Sequence, residues 1–257
     1  MSTPTERELA YYEDLYSGFA QQHFAKPAVA AFRRYLASRI LAASRERCGV
    51  IAGWRVLSLG CGIGDTELLI APQVGEIVGI DLSPKAIAQA RTDAARAGVR
   101  NVRFLAGDWR EGIRANGRFD LVLGVFFFHH LTDSELTAAP RELSVALTPG
   151  GAVYALEPSV RRLAGAVGKL IVPHLMKRYQ TADERQLLAE DLAAVFQNSG
   201  YRTSTGWFDF ASTPLAGLLP SWKSGYRLCR LLDHALIRMP LVSRWSANFE
   251  LLALRDR

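Results

Sequence analysis

Cysteine is scarce in this 257-residue chain: there are three, at positions 48, 61 and 229, far apart and odd in number. No Cys-x-x-Cys pair and no His/Cys cluster accompanies them. That argues against a disulfide framework and a zinc site, and a reducing, cytoplasmic setting is expected. Long apolar runs are missing too. None approaches the ~20 residues that a membrane span requires; the longest, 121–128, has the length of a buried strand. The first nine residues are polar and charged, unlike a secretory signal. Internal repeats and low-complexity stretches are lacking. Charged residues make up 22% and hydrophobic residues 49%, the balance of a chain that can bury a core. The formal charge is +6. Such an excess favours an anionic substrate, a nucleic acid or an acidic membrane surface, and is more often only a solubility feature.

What is present is an alternation. The first fifty residues read as helices: Tyr12, Leu15, Tyr16 and Phe19 recur at helical spacing, and a second helix is expected from 27 to 47 with proline at its start. Short apolar runs then alternate with amphipathic stretches. Strands are expected at 56–59, 77–80, 102–105, 119–125 and 152–156, with helices at 65–71, 84–97 and 136–147 between them. Ser83 caps the helix at 84 and Gly98 stops it. Pro140 is expected near the start of its helix or at a bend, and residues 149–151 form a turn. Continuous apolar strands spaced by helices predict a mostly parallel sheet covered on both faces. A further helix at 183–199 and strands at 201–210 and 247–254 complete it. The whole chain is expected to be one domain. Residues 1–50 form an N-terminal helical segment and 51–158 the ligand-binding core; 159–182 and 211–246 are two helical insertions that cap the substrate.

The chemistry is concentrated at 57–64, Leu-Ser-Leu-Gly-Cys-Gly-Ile-Gly. Three alternating glycines directly follow a strand and precede a helix, where a ligand approaches the backbone of an open α/β sheet. A dinucleotide fingerprint is G-x-G-x-x-G. Here its last position is Asp65 or Glu67, and an acidic residue does not suit a pyrophosphate at a helix start. A ligand without phosphates fits better, such as a cationic sulfonium nucleoside with an amino-acid tail. Asp81, at the end of the second strand, is placed to accept from ribose hydroxyls. Asp108, after the third strand, is placed to accept from the amine of adenine, with Trp109 covering the ring.

Taken together, the glycine loop, Gly79 to Pro84, Gly107-Asp108-Trp109, Phe119 to Val122 and Leu147 to Gly151 resemble the class I S-adenosylmethionine-dependent methyltransferases. The resemblance covers about 54–157. It implies a Rossmann-like, doubly wound seven-stranded sheet with the last strand antiparallel, and S-adenosylmethionine as the cofactor. The implied cofactor contacts are Gly60, Cys61, Gly62, Asp81, Leu82, Asp108, Trp109 and Gly124, with Tyr16 and His23 from an N-terminal segment that closes over the ligand. One departure stands out. The family often has an acid two positions before the first glycine, where it anchors the cofactor's amino group; Ser58 is there instead, and Asp65 or a loop carbonyl is expected to substitute.

For the acceptor side, His129 and His130 after the fourth strand and Glu157 at the end of the fifth are the candidate catalytic residues. No metal is expected. The insertions mix leucine and tryptophan with arginine and lysine, including an apolar run at 163–176 that carries His174, flanked by Arg161-Arg162 and Lys177-Arg178. This composition suits a small-molecule or lipid-like acceptor and peripheral contact with a membrane. No nucleic-acid partner is expected, since the Asn/Asp-Pro-Pro-Tyr type of motif is lacking. The alternatives are a protein or nucleic-acid methyltransferase and a non-catalytic cofactor-binding protein. A nicotinamide-dependent oxidoreductase is disfavoured by the glycine spacing.

Overall fold

The computed structural model describes residues 4–16, 19–162 and 187–255. The apolar run at 163–176, His174, Lys177 and Arg178, and most of the insertion expected at 159–182, lie outside them. Helices α1 (Pro4–Leu15), α2 (Phe19–Phe24) and α3 (Pro27–Cys48) come first. The core follows as β1 (Arg55–Leu59), α4 (Asp65–Ile70), β2 (Glu76–Asp81), α5 (Pro84–Ala97), β3 (Val102–Ala106), α6 (Trp109–Ala115), β4 (Phe119–Val125), α7 (Asp133–Ala146) and β5 (Leu147–Pro158). Then come α8 (Ala189–Gln197), β6 (Tyr201–Phe208), α9 (Ser212–Leu218), α10 (Lys223–Leu236), α11 (Pro240–Ser243) and β7 (Asn248–Arg255).

The seven strands form one sheet in the order β3-β2-β1-β4-β5-β7-β6. Neighbours from β3 to β5 are parallel; β7 runs antiparallel to both β5 and β6. The order reverses between β1 and β4, which opens a crevice at their carboxyl ends. Both faces are buried. One packs Leu57, Val78, Val122 and Val153 under α6, α7 and α8; the other packs Val56, Ile77, Leu121 and Tyr154 under α3 and α4. This explains why the strands are continuous apolar runs rather than alternating ones.

Local signals act as expected at α5: Ser83 accepts from the Ala86 amide and Gly98 is left-handed with φ 68°. Two details differ. α7 starts at Asp133, three residues before the apolar pattern, because Thr132 and Glu135 close a reciprocal capping box. Pro140 therefore falls mid-helix, where it is buried and its carbonyl accepts from the Tyr201 hydroxyl at 3.0 Å. Residues 149–151 do not separate α7 from β5; they lie within β5, where the register against β4 shifts between Phe119 and Leu121.

The 211–246 segment packs on α3. Ala216 and Tyr226 bury against Ala28, with Phe32 and Leu215 beside them. Buried Asp209 and Asp233, with Arg230, fasten it to the end of β6.

Candidate functional site

The crevice at the carboxyl ends of β1 to β4 holds a cavity of about 290 Å³. Its floor is the turn after β1. Gly60, Gly62 and Gly64 all have positive φ, at 62°, 52° and 74°, a region that side chains disfavour. Gly62 carries a second constraint: a Cβ there would come within 2.6 Å of the Tyr16 hydroxyl. The missing side chain lets the N-terminal segment lie down on the loop.

Asp81 ends β2 and braces this floor. One carboxylate oxygen accepts from the Gly62 amide at 2.8 Å, the other from the Ser83 amide at 2.9 Å. Asp108 caps α6, accepting from the Arg110 amide at 2.7 Å, and lines the cavity beside Trp109. Trp109 is buried, edge-on to Phe127 at 6.0 Å, with Arg110 over its ring at 4.5 Å. Burial, with the Asp81 charge adding, pushes the Tyr16 phenol far up, so it stays protonated and can donate. Burial also pushes the Cys61 thiol well up, so no nucleophilic thiolate forms there.

The roof comes from two segments. α1 and α2 contribute Leu9, Tyr12 and Phe24, and Val125 to Leu131 contribute Phe126, Phe127 and His130. Phe126 has φ 56°, a costly conformation for an aromatic residue, and its amide donates to Leu156 at 2.7 Å. His130 points into the cavity with Nε2 3.1 Å from the Tyr12 hydroxyl. Glu157 sits behind this turn, fully buried. It accepts from the Phe127 and Phe128 amides at 3.0 and 2.7 Å, and its other oxygen lies 2.6 Å from His129 Nδ1. The His129 and His130 rings are 3.9 Å apart.

Of the residues singled out in the sequence, Tyr16, Gly60, Cys61, Gly62, Asp81, Leu82, Asp108, Trp109 and His130 line one cavity. His23, Gly124, His129 and Glu157 do not line it. A Cβ on Gly124 would meet the Phe128 ring at 2.4 Å, so this glycine gives room to the turn that carries the histidines. Sequence reasoning passed over Arg33, Phe126 and Glu135 and used Glu67 only as a misfit for a pyrophosphate; all four also line it. Asp65 forms a 2.8 Å ion pair with Arg33. Glu67 is the carboxyl group nearer Ser58: it accepts from the Ser58 hydroxyl at 2.6 Å, and burial pushes it up to about 7.

The charge of the cavity opposes that of the protein. Asp65, Glu67, Asp81, Asp108 and Glu135 line it against only Arg33 and Arg110. Arg33 is held by Asp65, and Arg110 by Glu142 at 2.8 Å and Glu135 at 3.3 Å. Among the described residues, no group of three or more His, Cys, Asp or Glu is placed to hold a metal ion. A glycine-floored, carboxylate-rich cavity at the switch point of a doubly wound sheet suits a cationic nucleoside.

Comparison with known proteins agrees. The family described as "Methyltransferase domain" matches residues 56–151. An uncharacterized methyltransferase of Synechocystis is 29% identical over 156 residues, 61% of this chain and 70% of that protein. Aklanonic acid methyltransferase from a Streptomyces species is 27% identical over 172 residues, 59% of this chain and 76% of that one. A 23S rRNA (uracil-C5) methyltransferase of Shewanella amazonensis is 40% identical over 77 residues, 29% of this chain but only 17% of its own length. Several of the other matched relatives are likewise covered over less than half their length, including 44% of a release factor glutamine methyltransferase. Magnesium protoporphyrin IX methyltransferase from Synechocystis superposes over 95% of this chain and 98% of its own, with a TM-score of 0.64 at 14% identity. Residues 56–151 thus match the methyltransferase domain family, and the fold is that of S-adenosylmethionine-dependent methyltransferases such as the one from Archaeoglobus fulgidus, with a TM-score of 0.57 at 17% identity.

Proposed function

We propose that this protein methylates a small amphipathic acceptor, using S-adenosylmethionine. The observation that carries this reading is the pairing of both arginines that line the cavity, beneath a roof that is aromatic and aliphatic. A phosphate backbone calls for cations free to meet it; an apolar acceptor calls for a dry mouth with a few polar groups, which Leu9, Phe24, Phe126, Phe127 and Leu131 supply around Tyr12 and His130. The match to 76% of aklanonic acid methyltransferase, against 17% of the rRNA enzyme, supports the same reading.

The donor set fits the cofactor. A sulfonium and an ammonium are cations, and five carboxyl residues face them across a floor stripped of side chains. In this reading Asp81 holds the ribose, Asp108 and Trp109 the adenine, and Gly60 to Gly62 with Tyr16 the amino-acid tail. Bound S-adenosylmethionine supplies an already activated methyl group, so the protein's task is placement and desolvation. Tyr12 and the Val125 to Leu131 turn exclude water from the acceptor. His130 takes the proton of an acceptor hydroxyl or amine at Nε2. Glu157 and His129 act as positioning residues: Glu157 fixes the turn through two amides, and His129 supports the ring of His130.

A second surface belongs to this reading. Between 211 and 247 the sole acidic residue is Asp233, which is buried. The exposed charges are Lys223, Arg227, Arg238 and Arg244, interleaved with exposed Leu228, Leu231, Leu232, Met239, Leu241 and Trp245. An apolar face with charge of one sign suits an anionic bilayer, in which amphipathic acceptors partition.

The test is transfer of a labelled methyl group from S-adenosylmethionine to a fractionated cell extract. Label in the organic-soluble metabolites is expected. Label confined to RNA or protein would overturn the acceptor class, and none in any fraction would favour a non-catalytic binder.

A further inference from the structure

Under the glycine loop lies a buried carboxyl group whose bonding is incomplete. Glu67, in the first turn of α4, is 2% exposed, yet it lines the cavity. Its Oε1 accepts from the Ser58 hydroxyl, and its Oε2 is buried without a hydrogen-bond partner. A buried polar oxygen left bare is costly, and an ionised one far more so. Because Glu67 is one of the residues that line the cavity, a ligand there can complete its bonding.

The neighbouring acids are already engaged. Asp65 is paired with Arg33, and Asp81 accepts from two backbone amides. The end of β1 offers only Ser58, whose hydroxyl is given to Glu67. Asp65 Oδ2 is also buried without a hydrogen bond, but it lies 2.8 Å from the Arg33 guanidinium; Glu67 Oε2 has neither a hydrogen bond nor an ion pair, and is the oxygen left for an ammonium group beside the loop.

We propose that Glu67, oriented by Ser58, binds the α-ammonium group of the cofactor's amino-acid tail, so that the anchoring acid reaches the site from α4 rather than from β1. This rests on the cofactor reading above. The ammonium completes Oε2 and holds the carboxyl ionised, while the Ser58 hydroxyl satisfies Oε1. Ser58 is a positioning residue here, through its 2.6 Å hydrogen bond to Glu67.

The experiment is calorimetric titration with two probes. S-adenosylhomocysteine carries the amino-acid tail; 5′-methylthioadenosine has the nucleoside and sulfur but lacks it. Glu67→Gln keeps the shape and removes the charge. It is expected to weaken S-adenosylhomocysteine roughly ten- to a hundredfold, as for loss of a charged hydrogen-bond partner, and to leave methylthioadenosine within about twofold of wild type. Retained methylthioadenosine binding also shows that the variant is folded. Adding Ser58→Asp to Glu67→Gln is expected to restore much of the lost affinity, because the charge returns from the β1 side. Equal weakening of both probes would overturn the assignment by making Glu67 a structural residue, and so would unchanged affinity for S-adenosylhomocysteine. Failure of the wild-type protein to bind either probe would overturn the cofactor reading itself.

Discussion

A carboxyl group that titrates near 7 inside a protein makes stability depend on pH in a definite sense. Glu67 is raised from 4.5 to about 7, chiefly by burial, with Asp65 raising it further and Ser58 and Arg33 opposing. Between those two values the folded chain keeps a proton that the unfolded chain has released. The contribution is whole below about pH 4.5 and is lost as pH rises through about 7. The total is on the order of 3 kcal/mol. Urea unfolding of the ligand-free protein should therefore show stability falling across this window, and Glu67→Gln should flatten the fall. Parallel profiles for the two proteins would show that other groups set the dependence. At this scale the sequence was half legible. The glycines, Asp81 and Asp108 announced themselves by position after strands. Ser58 announced an absence. That Glu67 reaches back to Ser58 was hidden, because nothing in the spacing of nine residues says which face of α4 turns toward β1.

At the level of elements, polar side chains tie the roof of the site to the core. α1 is fastened through Glu13, which accepts from the Ser83 hydroxyl at 2.5 Å and pairs with Lys85 at 2.9 Å. These bonds hold its carboxyl below the usual range. Ser83 is also the cap of α5, so one hydroxyl serves the core helix and the lid together. Exposed pairs of this kind add little to global stability, but they can decide how long a lid stays shut. Glu13→Ala should raise the dissociation rate of S-adenosylhomocysteine, roughly two- to fivefold, with the melting temperature unchanged. A dissociation rate equal to wild type would show that α1 does not gate the ligand. The core elements were readable because each βα unit carries its own signals: apolar runs for strands, Ser83 and Gly98 for the ends of α5. The register shift at 149–151 was not, since a Pro-Gly-Gly sequence marks a break in pairing without saying whether the strand resumes. Nor was the seat of α9 and α10. Their leucines fit any apolar partner, and they pack on α3 through Ala28, Tyr226 and Ala216.

On the scale of the whole molecule, a net charge of +6 conceals a division. The cavity is acidic, which suits its cation, while the surface from 223 to 245 presents cations alone among exposed leucines and tryptophan. Among the described residues no helix is long and apolar enough to cross a membrane, so any hold on a bilayer through this face is peripheral. A basic residue close to an anionic surface contributes about 1 kcal/mol, and buried apolar side chains add to that. Four such cations and a row of leucines are enough for salt-sensitive, reversible binding. The protein should therefore sediment with vesicles containing phosphatidylglycerol and much less with phosphatidylcholine alone. High salt should release it, as should Arg227→Gln with Arg238→Gln and Arg244→Gln. Leu231→Ser with Leu241→Ser separates the two forces: it should weaken binding at every salt concentration, whereas the charge variant should differ from wild type chiefly at low salt. Equal binding to both vesicle types would leave the cations without this role. Loss of vesicle binding with methyl transfer to a soluble acceptor intact would place the membrane in the delivery of the substrate and not in the chemistry, because none of the residues on this face lines the cavity.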